Sequence, residues 1–501
     1  MFAETLASTV LGSDAVPVVV EAALSRGLPG LHVIGLRGSE ASNTRERVRC
    51  GLASLRIGMA DLGRCVVSIA PADLPKSGAA LDLPIAIAIL AALGRVDPER
   101  VRHVASHGEL GLDGSLRAAD GVVASAFAAV RADAREIIVS AGNAPRAALA
   151  PLRVTPATSL AQVERYLAGA LSLDAASPAT LSLAGTPRLE LADVRSQQAG
   201  VEALEIAAAG GHNLLLFGTP GCGKTMLAQR LPSILPQLDA ATALEVATIH
   251  DAAGLREREL DASPPFRAPH HTVSQQALVG GGGTRPIVGE VTLAHRGVLF
   301  LDELPEFRPS ALDALRQPLE DREVRIRRAG WIARYPCRTQ VVAAMNLCRC
   351  GNYGSTSRRC TCSDTSRNAY LQRVSGAIVD RFDLRIRMRL AESIVDGEST
   401  RDSGTAARRV ETARAIQHER WNGRLNAELD VLDDDRLQLR PAARAYVQRL
   451  GRDIDGGRVQ RAIVRVARTV ADLEQREHVE LDDVAIAQDC CRSTPAGGND
   501  D

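Results

Sequence analysis

Asn213-Leu-Leu-Leu-Phe217, followed directly by Gly218-Thr219-Pro220-Gly221-Cys222-Gly223-Lys224-Thr225, decides the fold of this chain. The apolar run has the length and composition of a buried strand. The eight residues after it match Gly-x-x-x-x-Gly-Lys-[Ser/Thr], a loop that curls backbone N–H groups around phosphate oxygens. Met226 to Leu231 is expected to be the helix that follows. Lysine is rare here: Lys76 and Lys224 are the only two in 501 residues, and every other cation is arginine. A lysine kept at this position fits a site that needs a compact ammonium between two phosphates, where a planar guanidinium would not fit. Thr225 offers a hydroxyl to Mg²⁺, so ATP and Mg²⁺ are the expected ligands.

Moving outward, Gly297-Val-Leu-Phe-Leu-Asp302-Glu303 is an apolar strand that delivers two carboxylates at its end. Asp302 is placed to hold Mg²⁺, and Glu303 to activate the attacking water. Val341-Val-Ala-Ala-Met-Asn346 is a further buried strand ending in an amide that can position that water. Strands alternating with helices over residues 193–391 predict an α/β core with a parallel sheet. Residues 392–492 turn helical, with helices expected over Arg408–Trp421, Pro441–Leu450, Arg458–Glu474 and Leu481–Asp489. Residues 1–168 mix strands (Val16–Val20, Val66–Ile69) with helices (Ser42–Leu55, Leu83–Leu93). A Ser-, Ala- and Pro-rich stretch, 169–192, is expected to be a linker, and 493–501 a disordered tail.

Net charge is zero, so nucleic-acid contact must come from local patches, not from a global basic field. The apolar run Leu83–Leu93 is too short for a bilayer and holds Pro84, so no membrane association is expected. With no basic segment ahead of an apolar stretch at the start, a cytoplasmic protein is expected. Ten cysteines then argue for metal or buried thiols instead of disulfides. Cys348-x-Cys350 and Cys360-x-Cys362 sit in a loop with little apolar content to order itself. Four thiolates suit tetrahedral Zn²⁺ in a structural role, although the usual spacing is wider; four reduced thiols are the plain alternative.

Longer strings carry a resemblance. Phe266-Arg-Ala-Pro-His-His-Thr272, Leu278-Val-Gly-Gly-Gly-Gly283, Gly289 through Phe307, Tyr370-Leu-Gln-Arg-Val-Ser-Gly376 and Asp380-Arg-Phe-Asp-Leu384 resemble the AAA+ superfamily. The match is to its magnesium-chelatase-like branch, the family of ComM and YifB, and it runs over nearly the whole chain. The resemblance implies an AAA+ P-loop NTPase core with a helical lid. Ahead of it the family has an α+β domain of Lon-protease-like (ribosomal S5 domain 2-like) fold. It implies a homo-hexameric ring with ATP between neighbours. Asn346 then falls at the sensor-1 position, Arg381 at the arginine finger and Arg458 at sensor 2. The chain departs from the family with Gly456-Gly-Arg458 in place of Ser-x-Arg, and Leu347 and Arg349 replace the prolines usual around the first cysteine pair.

Two β-prone runs flank Ala329-Gly330 and form an expected hairpin bearing six arginines, among them Arg325, Arg327, Arg328 and Arg334, together with Trp331. In the resembled branch this hairpin enters the ring's pore. Arginines there match a phosphate backbone and an aromatic stacks on bases, so single-stranded or branched DNA is the expected partner; a solvated charged hairpin is the alternative. His270-His271 with the glycine run is expected to be a second, mobile pore element. At the positions matching a Lon protease's Ser and Lys, the chain has Ala80 and Val123, so no peptide hydrolysis is expected. The functional expectation is an ATP-hydrolysing DNA motor; the resemblance implies a helicase promoting branch migration in recombination and natural transformation. The alternatives are a motor subunit for metal insertion into a tetrapyrrole and a nucleotide-switched scaffold.

Overall fold

The computed structural model describes all residues except 37, 77, 183–188, 256–259, 283–286, 329–330, 356–357, 391–400, 430–433, 454–456, 494 and 496–501. The start of the lid region, most of the expected tail and the turn Ala329-Gly330 therefore lie outside the described residues.

The first body grows from Phe2–Leu11 and Asp14–Ser25, β-rich runs that pair antiparallel across Gly12. Around them forms a seven-stranded mixed sheet in the order Gly30–Ile34, Arg64–Ala70, Asp14–Ser25, Phe2–Leu11, Val104–His107, Glu136–Ser140, Arg153–Ala157. The apolar run holding Pro84 is the helix Asp82–Ala92, buried at all eleven positions against the central hairpin. Pro84 is tolerated because it stands in the first turn, where its missing N–H breaks no helical bond. Among the described residues no helix is long and apolar enough to cross a membrane. Ala80 lies in a 3-10 turn and Val123 is fully buried, and neither side chain is a nucleophile or base.

The second body is a five-stranded all-parallel sheet in the order Phe266–Arg267, Val298–Leu301, Gln340–Met345, Leu214–Gly218, Leu384–Met388. The middle three are buried along their whole length, as expected for strands covered on both faces. Gly218 and Met345 both close their strands at the same sheet edge, so the phosphate loop and Asn346 come together there. The helix expected over Met226–Leu231 is instead two short pieces, Lys224–Ala228 and Leu231–Ile234. Pro232 has no N–H to continue the first, and Arg230 folds back onto the Met226 carbonyl at 2.8 Å.

Helices Ser403–Trp421, Pro441–Asp453, Gly457–Leu473 and Leu481–Arg492 form the lid, sharing one apolar core with Gln198–Gly210. A buried polar chain locks it down. His212 bonds Asp383 (2.9 Å) and Thr469 (2.8 Å), and Arg465 pairs with Asp383 at 2.8 Å. The stretch expected as a linker is laid down in its described part. Ala176 N–H bonds Val154 O, Leu181–Ser182 pairs with Leu260–Asp261, and Leu191 is fully buried. The two bodies meet at Asp251, which is fully buried, accepts the Val123 N–H at 2.9 Å and faces Arg146 at 3.4 Å.

Candidate nucleotide and nucleic-acid sites

Lys224 is buried, and its Nζ donates to the carbonyls of Gly218 (3.1 Å) and Thr219 (2.9 Å) and to Asn346 Oδ1 (3.1 Å). Burial pulls its pKa below the ordinary lysine value, against the pull of Cys222 and Asp302. Gly223 has φ +89°, a left-handed conformation that brings the chain from the loop into Lys224–Ala228. Thr225 Oγ1 donates to Asp302 Oδ2 at 2.7 Å. A hydroxyl and a carboxylate oxygen side by side at the loop's mouth are a hard-oxygen pair that fits Mg²⁺, and the ammonium beside them fits a polyphosphate. Gly218, Lys224, Thr225, Asp302 and Asn346 are thus joined through direct contacts in one place.

Glu303 follows Asp302 with φ +53°, a left-handed conformation for a residue with a Cβ, and donates its N–H to Asp302 Oδ1 at 2.8 Å. Its carboxylate does not stand alone: His271 Nδ1 lies 3.1 Å from Glu303 Oε2. The segment expected to form a second pore element thus has His271 beside Glu303. The Arg-Ala-Pro-His-His segment follows the edge strand Phe266–Arg267, which pairs with Val298–Leu301, and so passes beside the carboxylates that this strand delivers. Sequence reasoning missed this pair; the adjacency of the Phe266–Thr272 string to a strand was its only signal.

Arg381 and Arg458 come together, and not at the phosphate loop. Arg381 Nη2 is 2.5 Å from Glu320 Oε2, and Arg458 Nη2 is 3.6 Å from Glu320 Oε1. Leu384 is level with Leu214 and Met388 with Gly218. Arg381, ahead of Leu384, therefore stands at the opposite sheet edge from Gly218–Thr225. The neighbouring carboxylates Asp380 and Asp383 go instead to Arg385 (3.3 Å) and to Arg465 with His212. Around Arg381 opens a cavity of ≈ 750 Å³ whose lining also includes Arg458, Arg461, Arg465, Arg414 and Arg338.

The arginine hairpin exists as Glu323–Arg328 paired with Trp331–Pro336. Val324, Ile326, Ala333 and Tyr335 face the core, and Arg325, Arg327 and Arg334 face out, as the period of two requires. Arg325 and Arg334 are directly opposite each other. Arg325 is held by Glu323, and the Arg334 carbonyl accepts the Ser13 N–H of the first body at 3.5 Å. The side chains of Arg328 and Trp331 lie outside the described residues.

All four sulfurs of Cys348, Cys350, Cys360 and Cys362 lie within 4.8 Å of one another. Cys348 is 3.4 Å from Cys350 and 3.7 Å from Cys360. Those separations suit the corners of a thiolate tetrahedron around one ion. Backbone N–H groups of Asn352 and Thr361 hold the Cys350 thiol below its ordinary range, while burial pushes Cys348 up. Next to Cys350, Gly351 approaches the phosphate loop so closely that a Cβ there would stand 2.6 Å from the Pro220 ring. The cysteine loop therefore buttresses the phosphate loop, a contact no spacing in the sequence revealed.

Comparison with known proteins follows the same division. The family model described as magnesium chelatase, subunit ChlI, matches residues 190–395; that of subunit ChlI of Mg-chelatase matches 20–143; that of the ChlI C-terminal matches 400–490. YifB of Escherichia coli is 40% identical over 488 residues, 94% of each chain. The competence protein ComM of Haemophilus influenzae is 39% identical over 486 residues, 94% of this chain and 93% of that one. Lon protease 2 of Bacillus subtilis is 32% identical over 151 residues, 26% of this chain and 25% of the protease.

Proposed function

We propose that this chain, which belongs to the magnesium-chelatase-like AAA+ family together with ComM and YifB, is an ATP-hydrolysing ring motor that acts on DNA. The observation that carries the ring is the placement of Arg381 and Arg458. Both stand at the sheet edge opposite their own phosphate loop, where they serve a nucleotide only if a neighbour brings one. A head-to-tail, heterologous contact repeated around a closed ring does so, and six copies are the family's expected number.

In this reading Gly218–Thr225 cradle the phosphates, and Lys224 and Asn346 hold the γ-phosphate. Thr225 and Asp302 hold Mg²⁺, which supplies charge neutralisation on the phosphate oxygens when bound. Glu303 accepts the proton of the attacking water. The water oxygen bonds to the γ-phosphorus as the bond to the β–γ bridging oxygen breaks, and ADP leaves with that electron pair. Arg381 and Arg458 of the adjacent copy stabilise the charge that spreads over the transferring group. The outward arginines of Glu323–Arg328 and Trp331–Pro336 grip the DNA phosphates. The four cysteines hold one structural Zn²⁺.

ComM is named a competence protein, which supports a role in competence; branch migration of recombining strands is the task we propose within it. A branched-DNA unwinding assay with and without ATP tests it. ATP-dependent strand separation, abolished in Lys224→Ala, is the expected result. ATP hydrolysis that neither responds to DNA nor separates strands sinks the DNA reading and favours the metal-insertion motor.

A further inference from the structure

We infer that Glu320 is a positioning residue that sets the spacing between Arg381 of the core and Arg458 of the lid, so that both guanidinium groups meet a neighbour's nucleotide together. This rests on the reading of the two arginines as acting on the adjacent copy. Each oxygen of the carboxylate serves one of them. Oε2 faces Arg381 Nη2 at 2.5 Å, and Oε1 faces Arg458 Nη2 at 3.6 Å. Among the described residues neither guanidinium has another partner. Arg381 follows the helix Gly376–Val379 of the core, whereas Arg458 stands on the lid helix Gly457–Leu473. The carboxylate between them is thus the one described link between their tips.

Glu320 is itself firmly mounted. It stands in the last turn of the helix Arg316–Asp321, whose Pro318 is buried. Arg322 ends that helix at φ +55°, and its N–H bonds the Pro318 carbonyl at 2.9 Å. The Arg322 guanidinium pairs with Glu428 of the lid at 2.7 Å, and its carbonyl accepts the Cys337 N–H at 2.9 Å. The main chain of Arg381 is pinned too, its carbonyl accepting from Asn213 Nδ2 at 2.9 Å. The guanidinium is not used up. Arg381 Nε is buried and has no hydrogen-bond partner among the described residues, so part of the donor fork is open to an arriving acceptor. A carboxylate that filled the fork from two sides would block a phosphate; one that holds a single nitrogen aims the rest. The Glu320 side chain is 57% exposed and lines the ≈ 750 Å³ arginine cavity, at the face where the neighbour's phosphates arrive.

The test measures steady-state ATP hydrolysis by the full chain, alone and in mixtures. In Glu320→Ala, kcat should fall ~10-fold or more, the scale of losing a hydrogen bond between charged groups. KM for ATP should stay unchanged, because the variant's own phosphate loop is intact. Glu320→Gln, which keeps one acceptor oxygen and lacks the charge, should fall between alanine and wild type. Mixed at equal amounts with Lys224→Ala, the Glu320→Ala subunit should recover to about a quarter of the wild-type rate, since those neighbours supply correctly held arginines. Mixed with Arg381→Ala it should not recover, because both lesions lie on the same side of the interface. A merely structural role predicts no such difference between the two mixtures. A wild-type or faster rate in Glu320→Ala, no recovery with Lys224→Ala, or recovery with Arg381→Ala overturns the spacing role. Glu320→Gln carries the same readings if the alanine variant melts below wild type. Arg381→Ala mixed with Lys224→Ala separates the two failures. No recovery there removes the action on the adjacent copy itself, whereas recovery there with a silent Glu320→Ala removes only the role of Glu320.

Discussion

The assignment of Arg381 to a neighbour's nucleotide is open to a quantitative test by subunit mixing. Strand Leu384–Met388 has five residues and runs in register with Leu214–Gly218. At ~3.3 Å per residue it places about 16 Å between the edge bearing Arg381 and the edge bearing the phosphate loop. No rotamer of Arg381 spans that, so its guanidinium contributes nothing to its own site. An Arg381→Ala subunit keeps its loop and lacks the finger; a Lys224→Ala subunit keeps the finger and cannot hold ATP. Each alone should fall by ~10³-fold or more, the range for removal of a finger. Mixed at equal amounts in random rings, about one quarter of interfaces pair an intact loop with an intact finger, since each closed interface draws one group from each copy. Steady-state phosphate release should therefore recover to about a quarter of wild type, peak at equal mixing and fall symmetrically on either side. Recovery should also rise with protein concentration as rings assemble. Mixtures that stay inactive at every ratio, although light scattering shows mixed rings, refute the placement. Arg458→Ala mixed with Lys224→Ala should give the same curve, because Arg458 shares Glu320 with Arg381.

Four further outcomes follow from the same geometry. Glu303→Gln should retain nucleotide binding, measured with a fluorescent ATP analogue, and drop ~100-fold or more in turnover, as expected for removal of a positioned base; near-normal turnover would refute that role. Protein purified without chelator should carry about one zinc per chain, the content of a four-thiolate site. Stripping it should weaken ATP binding through the packing of Gly351 on Pro220, and thiols freely reactive in the untreated protein would contradict the site. Replacing Arg325 and Arg334 by Ala should weaken single-stranded DNA binding equally across sequences and flatten the salt dependence by about 0.7 for each phosphate no longer neutralised; an unchanged slope would place the DNA elsewhere. Asp251→Ala leaves Arg146, mostly buried, without that carboxylate and should cost ~3 kcal/mol of stability in a melting experiment, the range for breaking a buried pair; a change too small to measure would show that the two bodies are not held there.

Much of the core is legible in the sequence because its signals are local. A strand that ends in glycines and a lysine, a strand that ends in two carboxylates and a strand that ends in an amide each carry their chemistry at the C-terminal end of an apolar run. Parallel pairing brings those ends to one edge, and Lys224, Asp302 and Asn346 meet as their positions in the runs require. The helix after the phosphate loop is shorter than its periodicity predicts, because Pro232 lacks the N–H that would continue it.

The sequence by itself determined the strand ends, the alternation that turns Arg325 and Arg334 outward, and the pairing of cysteines at Cys-x-Cys, all set by spacing along the backbone. Tertiary structure alone decided which distant groups meet. His271 reaches Glu303, Arg381 and Arg458 share Glu320, and Gly351 touches Pro220, in each case between segments far apart in the chain. These contacts depend on the order of strands in the sheet and on how the lid is locked by His212, Asp383 and Arg465. Strand order is a property of the whole packed core, because each strand is placed by the neighbours that cover it and not by its own residues.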